Sequence, residues 1–144
     1  MIITVLKQIK NVWRYIDNGI RINRLKMRGA EIGYNVVISK GAKIDNPKHL
    51  KIGDNVYIGT DFYANCLGGL TISNGTIISN HCTIMTWNHN YKDNIIRPYG
   101  LEYILKPVII NEQVWIGINV SICPGVSIGK QSIIGMGGSA KKSL

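Results

Sequence analysis

Of the side chains in this sequence, His89 is the best suited to moving protons. It lies in a polar and aromatic stretch, Thr86-Trp87-Asn88-His89-Asn90-Tyr91-Lys92-Asp93, which opens the one long segment that follows no repeat, residues 85–107. An imidazole titrates near neutrality, which suits it to removing a proton from a hydroxyl. The other two histidines read as structural. His49 stands in a corner insertion near Pro47, and His81 lies inside a regular repeat unit. Cys66, Cys82 and Cys123 are odd in number and lack metal-ligand spacing. They read as reduced, mostly buried thiols of a cytosolic protein, and no metal is expected.

The scaffold that must position His89 shows itself as a beat of six residues. Branched aliphatics recur at Ile32, Ile38 and Ile44, then at Ile52 and Ile58. They return at Ile72, Ile78 and Ile84, and again at Ile110, Ile116, Ile122, Ile128 and Ile134. A strand alternates with period two and a helix with period 3.6. A period of six means a short strand plus a corner, repeated and stacked on itself. Three such faces close one triangular coil. Its corners call for left-handed residues, which Gly and Asn tolerate best. Asn35, Asn55, Asn74, Asn80 and Asn119 are the candidates. A β-sandwich is the competing reading, but its strands recur at about 8–12 residues and alternate in polarity. The beat slips by two residues around 46–49 and again around 66–69, as corner bulges do. Long irregular excursions from a rigid scaffold are usually functional, which directs attention to 85–107.

At 144 residues the chain is one domain. Residues 1–28 read as an amphipathic helical cap and 29–144 as the β-helix. Ile2, Leu6, Ile9, Trp13, Ile16 and Ile20 fall at three- and four-residue intervals. The helix is expected to run to about Tyr15, with Asn18-Gly19 as a stop and a second short piece beyond. Seven basic residues oppose only Asp17 there, so +6 of the net +9 sits in the first 28 residues. Either this is a solvated helical face, or it is attracted to anionic lipid or to a phosphorylated, lipid-linked acceptor. The expected localisation is cytoplasmic, with the inner membrane face as the place such an attraction would act. No nucleic-acid motif appears, and most of the basic charge is on the cap, so a nucleic-acid partner is not expected. No apolar run is long enough to span a bilayer, and Lys and Gln interrupt the first residues too often for a secretory signal.

From about Ile52 to Lys142 the sequence resembles the maltose/galactoside O-acetyltransferase branch of the hexapeptide-repeat acyltransferases. Asp61-Phe62-Tyr63-Ala64-Asn65 resembles the family's acceptor segment. Val114-Trp115-Ile116-Gly117 followed by Pro124-Gly125-Val126-Ser127-Ile128-Gly129 resembles VWIG…PGVxIG. Gly135-Met136-Gly137-Gly138-Ser139-Ala140-Lys141-Lys142 resembles GAGSVVTK, and Glu102 stands five residues before Pro107 as the family's loop Glu does. The resemblance implies an all-β, left-handed parallel β-helix; the hand comes from the resemblance alone.

It also implies O-acetyl transfer from acetyl-CoA to a sugar, with a surface polysaccharide or its precursor preferred as acceptor. His89 would be the catalytic base and would then protonate the leaving thiolate. Asn65 would bind the acceptor. Glu102 would either bind the acceptor or orient the imidazole. Trp115 would wall the thioester region, or else simply pack on the prism exterior. Gly117 would let backbone approach the thioester, and the Ile118 N–H would meet the developing oxyanion. Gly135 and Met136 belong to the matching CoA segment, and Lys141 and Lys142 would meet CoA phosphates or form a basic tail. The family assembles as a homotrimer with CoA between neighbours.

Three departures accompany the match. Leu144 ends the sequence where the family continues into a GxPAK-like tail that covers the adenine end of CoA. Asn111-Glu112 replaces Gly-Asp or Gly-Asn, and Gly138-Ser139-Ala140-Lys141 replaces the Ser-Val-Val-Thr run. Two other functions fit the same architecture. A γ-carbonic-anhydrase-like zinc enzyme needs three His per metal, two of them at a five-residue step, and no such pair exists here. A non-catalytic β-helix assembly protein needs none of the site residues.

Overall fold

The computed structural model describes residues 2–92 and 100–143. The middle of the expected excursion, 93–99, and the terminal Met1 and Leu144 lie outside the described residues. A single helix, α1 (Ile2–Met27), precedes five coils of short strands. The first coil holds β1 (Glu31–Ile32), β2 (Val37–Ile38) and β3 (Lys43–Asp45). The second holds β4 (Leu50–Ile52), β5 (Tyr57–Ile58) and β6 (Tyr63–Asn65). The third holds β7 (Leu70–Ile72), β8 (Ile77–Ile78) and β9 (Thr83–Met85). A hairpin of β10 (Trp87–His89) and β11 (Tyr103–Leu105) then leaves the stack. The fourth coil resumes with β12 (Val108–Ile110), β13 (Trp115–Ile116) and β14 (Ser121–Ile122). The fifth is β15 (Ser127–Ile128), β16 (Ile133–Ile134) and β17 (Ser139–Ala140).

Corresponding strands pair in parallel and form three five-stranded sheets, one per face of the prism. This is the left-handed parallel β-helix. The register measures each coil. Ile32 pairs with Ile52, a step of 20 residues, and Ile52 with Ile72, again 20. Ile72 pairs with Ile110, a step of 38 that contains the excursion, and Ile110 with Ile128, a step of 18. The two extra residues of the early coils are taken up where the sequence slips. Pro47–His49 forms a 3-10 turn, and Gly69 donates to the Cys66 carbonyl across the second bulge.

The core is three columns of aliphatics. Ile32, Ile52, Ile72, Ile110 and Ile128 stack behind the first face, and Ile38, Ile58, Ile78, Ile116 and Ile134 behind the second. Ile44, Ala64, Ile84, Ile122 and Ala140 stack behind the third, and all are buried. Each fully buried Ile contributes about 1.5–3 kcal/mol relative to an exposed one. The third column carries two Ala, and Phe62 is buried two residues before Ala64, so a large ring accompanies the small side chain.

Two corners of every coil are turned by a left-handed residue. One column is Asn35, Asn55, Gly75, Gln113 and Gln131; the other is Gly41, Asp61, His81, Asn119 and Gly137. His81 is therefore a corner residue, with φ 59°. Asn74 and Asn80 do not take the expected left-handed conformation, because Gly75 and His81, one residue later, turn those corners. Their side chains instead bridge coils. The Asn74 Oδ1 accepts the Asp54 N–H at 2.8 Å, and the Asn80 Oδ1 accepts the Thr60 N–H at 2.9 Å.

Helix α1 does not stop at Asn18-Gly19; it runs on to Met27. Asn18 is engaged with the body instead of capping a helix end. Its Nδ2 donates to the Val36 carbonyl at 3.0 Å, and its Oδ1 accepts the Ile38 N–H at 2.8 Å. The amide thus pairs with the open edge of the first coil as a neighbouring strand would. The helix ends at Gly29, whose φ of 95° suits only Gly well. Gly29 N donates to the Lys26 carbonyl and Ala30 N to the Leu25 carbonyl. Buried Leu25 and Ala30 complete this Schellman-type stop.

Candidate active site

The excursion that carries His89 is clamped at its base by Thr86. This side chain is fully buried. Its hydroxyl donates to the Asn65 carbonyl at 2.8 Å and accepts the Gly68 N–H at 2.8 Å. Its own carbonyl accepts the Lys106 N–H at 2.8 Å, so one residue ties the outgoing chain, the returning chain and the coil below. A side chain at position 68 would collide with the Thr86 carbonyl, which explains Gly there.

From that clamp the chain does not wander. β10 and β11 pair antiparallel, with Trp87 opposite Leu105 and His89 opposite Tyr103. The His89 ring stands edge-on to Trp87 and to Tyr103, each at 5.2 Å between centroids, and Trp87 and Tyr103 lie 4.6 Å apart. Such edge contacts fix a ring's orientation as well as burying it. The Asn88 Oδ1 accepts the His89 N–H at 3.0 Å. The buried Trp87 Nε1–H has no partner among the described residues. Glu102 joins the arm through its backbone, accepting the Asn90 N–H at 3.1 Å, and its side chain is exposed.

Asn65 lies on β6 directly below Met85, at the foot of the arm. Its Oδ1 is already occupied, accepting from the Asn46 Nδ2 at 3.0 Å and the Leu67 N–H at 3.2 Å. Asn65, expected to bind the acceptor, is thus left with its Nδ2 end, beside the Tyr63 hydroxyl, to do so. Around it stand residues that sequence reading did not single out. The Tyr63 hydroxyl donates to Asp45 at 3.1 Å. Burial, and then the Asp45 carboxylate, push that hydroxyl's pKa up, so it stays a neutral donor. Asp45 pairs in register with Asn65, a relation the 20-residue step encodes. Below the patch, burial pushes the Cys66 thiol up to about 12, with Asp45 adding to the shift; Cys82 is also raised by burial.

The remaining site residues fall on other edges of the prism. Trp115 is on β13, in the second face, half exposed, with its Nε1 donating to the Ser79 hydroxyl at 3.4 Å. Gly117 follows at the corner. A Cβ there would stand 2.7 Å from the Met136 N and 2.9 Å from the Ile134 carbonyl oxygen, so successive coils pack too closely for a side chain. At equivalent corners the N–H groups of Tyr34, Asp54 and Thr60 donate to Asp54, Asn74 and Asn80 of the next coil. Ile118 faces Met136 by the same register, and its N–H finds no acceptor among the described residues. Gly135 is open, Met136 is exposed, and Lys141 and Lys142 are exposed near the C-terminus. One chain therefore joins Asn65 to the foot of the His89 arm and leaves Trp115, Gly117 and Ile118 at a different edge.

The three histidines stand apart in the 3-10 turn, at a corner and on the arm. No group of three or more His, Cys, Asp or Glu able to hold a metal occurs among the described residues.

No family model matches the chain. Individual proteins do. Escherichia coli K12 WcaF, whose name assigns it provisionally to colanic acid biosynthesis as an acetyltransferase, is 34% identical over 120 residues, 83% of this chain and 63% of its own length. The galactoside O-acetyltransferase of the same strain is 32% identical over 113 residues, 74% of this chain and 55% of its own. Over most of its length this chain is homologous to proteins named as acetyltransferases. It spans less than two thirds of the length of these relatives. Among solved structures, a galactoside acetyltransferase in complex with coenzyme A superposes with TM-score 0.71 at 28% identity, covering 81% of this chain and 57% of that one. A Vibrio cholerae hexapeptide-repeat acetyltransferase complexed with acetyl-CoA gives TM-score 0.78 at 24% identity, over 88% and 68%; at that identity the likeness is one of fold.

Proposed function

We propose that this protein is an O-acetyltransferase. It moves an acetyl group from acetyl-CoA to a hydroxyl of a sugar, in a bacterial surface polysaccharide or its precursor. The observation that carries the reading is the His89 ring, packed edge-on against Trp87 and Tyr103 on an arm clamped beside Asn65.

His89 takes the proton of the acceptor hydroxyl as that oxygen bonds to the thioester carbonyl carbon. The carbonyl oxygen gains negative charge, which the Ile118 N–H, without an acceptor among the described residues, receives. Collapse breaks the carbon–sulfur bond, and the thiolate leaves with the proton that His89 held. The Asn65 Nδ2 donates to the acceptor. Glu102, exposed and next to Tyr103 in the chain, either binds the acceptor or orients the imidazole. Trp115, Gly117, Gly135 and Met136 line the donor's path, and Lys141 and Lys142 meet its phosphates.

Because Asn65 and His89 sit at one edge and Trp115 and Ile118 at another, the reading needs a second copy. The second face supplies a surface for it. Its outward column is Val37, Tyr57, Ile77, Trp115 and Ile133, all exposed apolar residues in register. The first face shows Glu31, Lys51, Thr71, Ile109 and Ser127, and the third Lys43, Tyr63, Thr83, Ser121 and Ser139. Covering the one apolar face in a closed homotrimer brings the arm of one copy to the Trp115 edge of the next. Three free thiols and use of acetyl-CoA fit a cytoplasmic location.

The test is a panel of bacterial glycans and sugar precursors incubated with acetyl-CoA, read by thiol release and by the mass gain of one acetyl group. Release with no acceptor-dependent component across the panel counts against the reading.

A further inference from the structure

Helix α1 presents its apolar stripe away from the β-helix. Asn18 pins the rotation of the helix through Val36 and Ile38, and the Arg21 Nε donates to the Ile38 carbonyl at 2.8 Å. These contacts, with buried Leu25, define the side of α1 that faces the body. Leu6, Ile9, Trp13, Ile16 and Ile20 lie about half a turn from that side at 3.6 residues per turn. All five are exposed, Trp13 by 66%. They are not core residues, and no part of the chain described here covers them.

Most basic side chains of the helix lie round one side of this stripe. Lys10 and Arg28 sit about a quarter-turn from its centre, and Lys7 and Arg14 further round. Arg21 is turned to the body and pairs with Asp17, the one acid of the helix, which leaves six basic side chains of α1 and its end without an opposing acid in this segment. Pairing α1 with its own copies along the stripe would bring strongly basic helices together with little to offset their charge. An anionic surface is complementary to them. No helix among the described residues is long and apolar enough to cross a membrane.

We propose that α1 lies in the plane of an anionic lipid surface, its Leu6–Ile20 stripe in the headgroup boundary and its exposed basic side chains, Arg21 excepted, drawn towards the lipid phosphates. The body then stands on the aqueous side, because the Asn18 pin sets the stripe opposite to it. The inference is independent of the proposed chemistry, and its test needs no turnover.

The full chain is sedimented with vesicles of phosphatidylcholine alone, and of phosphatidylcholine with about one-third phosphatidylglycerol. Binding is expected to the anionic vesicles only, weakening as salt rises. The triple substitution Lys7→Gln, Lys10→Gln, Arg14→Gln lowers partitioning by about a hundredfold. Trp13→Glu abolishes it. All four positions are exposed and lie before the Asn18 pin, so circular dichroism and solution mass stay at wild-type values. Failure to bind the anionic vesicles at low salt overturns the proposal, as does equal binding to both vesicle types. A fall in oligomeric mass for Trp13→Glu also overturns it, by assigning the stripe to a second copy of this chain.

Discussion

The Thr86 hydroxyl donates to the Asn65 carbonyl across 2.8 Å, and through that bond the foot of the histidine arm is attached to the coil below it. Thr86 touches no reacting atom in the proposed chemistry; it is a positioning residue. Thr86→Val keeps the shape and removes the hydroxyl, leaving the Gly68 N–H without its acceptor. Stability should fall by about 1–3 kcal/mol, read from denaturant midpoints. Turnover should fall by up to about 10²-fold, the scale of a 1 Å misplacement. Thr86→Ser restores the hydroxyl and should restore most of the turnover, which a purely steric role for the residue would not predict.

His89→Ala should lower acetyl transfer by about 10²–10⁴-fold, the usual contribution of a general base. The ring sits on the arm rather than in the prism core, so thermal stability should change little. Near-normal transfer by this variant would remove His89 from the mechanism.

Gly117→Ala introduces a Cβ 2.7 Å from the Met136 N. The fourth and fifth coils must then separate, moving the Ile118 N–H as well. Both the melting temperature and turnover should drop. Retention of both would show that the corner has room the geometry denies.

Ile133→Lys and Ile77→Lys place charge in the apolar column of the second face. Either should shift the solution mass from that of the proposed trimer towards monomer, measured by light scattering, with loss of transfer and retention of the β-rich circular dichroism spectrum. A single mass unchanged by both would separate this face from assembly.

Cys66 titrates at about 12 in the folded chain against an ordinary 9.0. Between those values the unfolded chain has released the thiol proton and the folded chain still holds it. Stability is therefore full below pH 9.0 and is lost as pH rises towards 12, by as much as about 4 kcal/mol from this group. Cys82 and Tyr63 shift in the same direction and steepen the loss. Cys66→Ala should be less stable at neutral pH but lose less on going alkaline. An identical pH slope in the two proteins would discount Cys66 as the source.

The six-residue beat was sufficient to specify a stack of three-sided coils, though not its hand. A strand-plus-corner period forces each aliphatic to land behind the one 18 or 20 residues earlier, so the columns from Ile32 to Ile128 and from Ile38 to Ile134 are a consequence of spacing alone. The slips near Pro47 and Gly68 and the break before His89 were legible for the same reason, since an interruption of a strict period must leave the stack. Other features depended on which coil lies above which. Asn18 looked like a helix stop because a short amide near Gly usually ends helices, yet the bare edge of β2 claimed its hydrogen bonds. Asn74 and Asn80 looked like left-handed corners, but a neighbouring Gly and His took that conformation and freed their side chains to bridge coils. Asn65 lost its carbonyl end to Asn46, and Thr86 became a clamp, through contacts 18 to 21 residues apart that no local pattern announces. Residue types and their period are local information; the partner of a buried hydrogen-bonding group is decided only when the coils close.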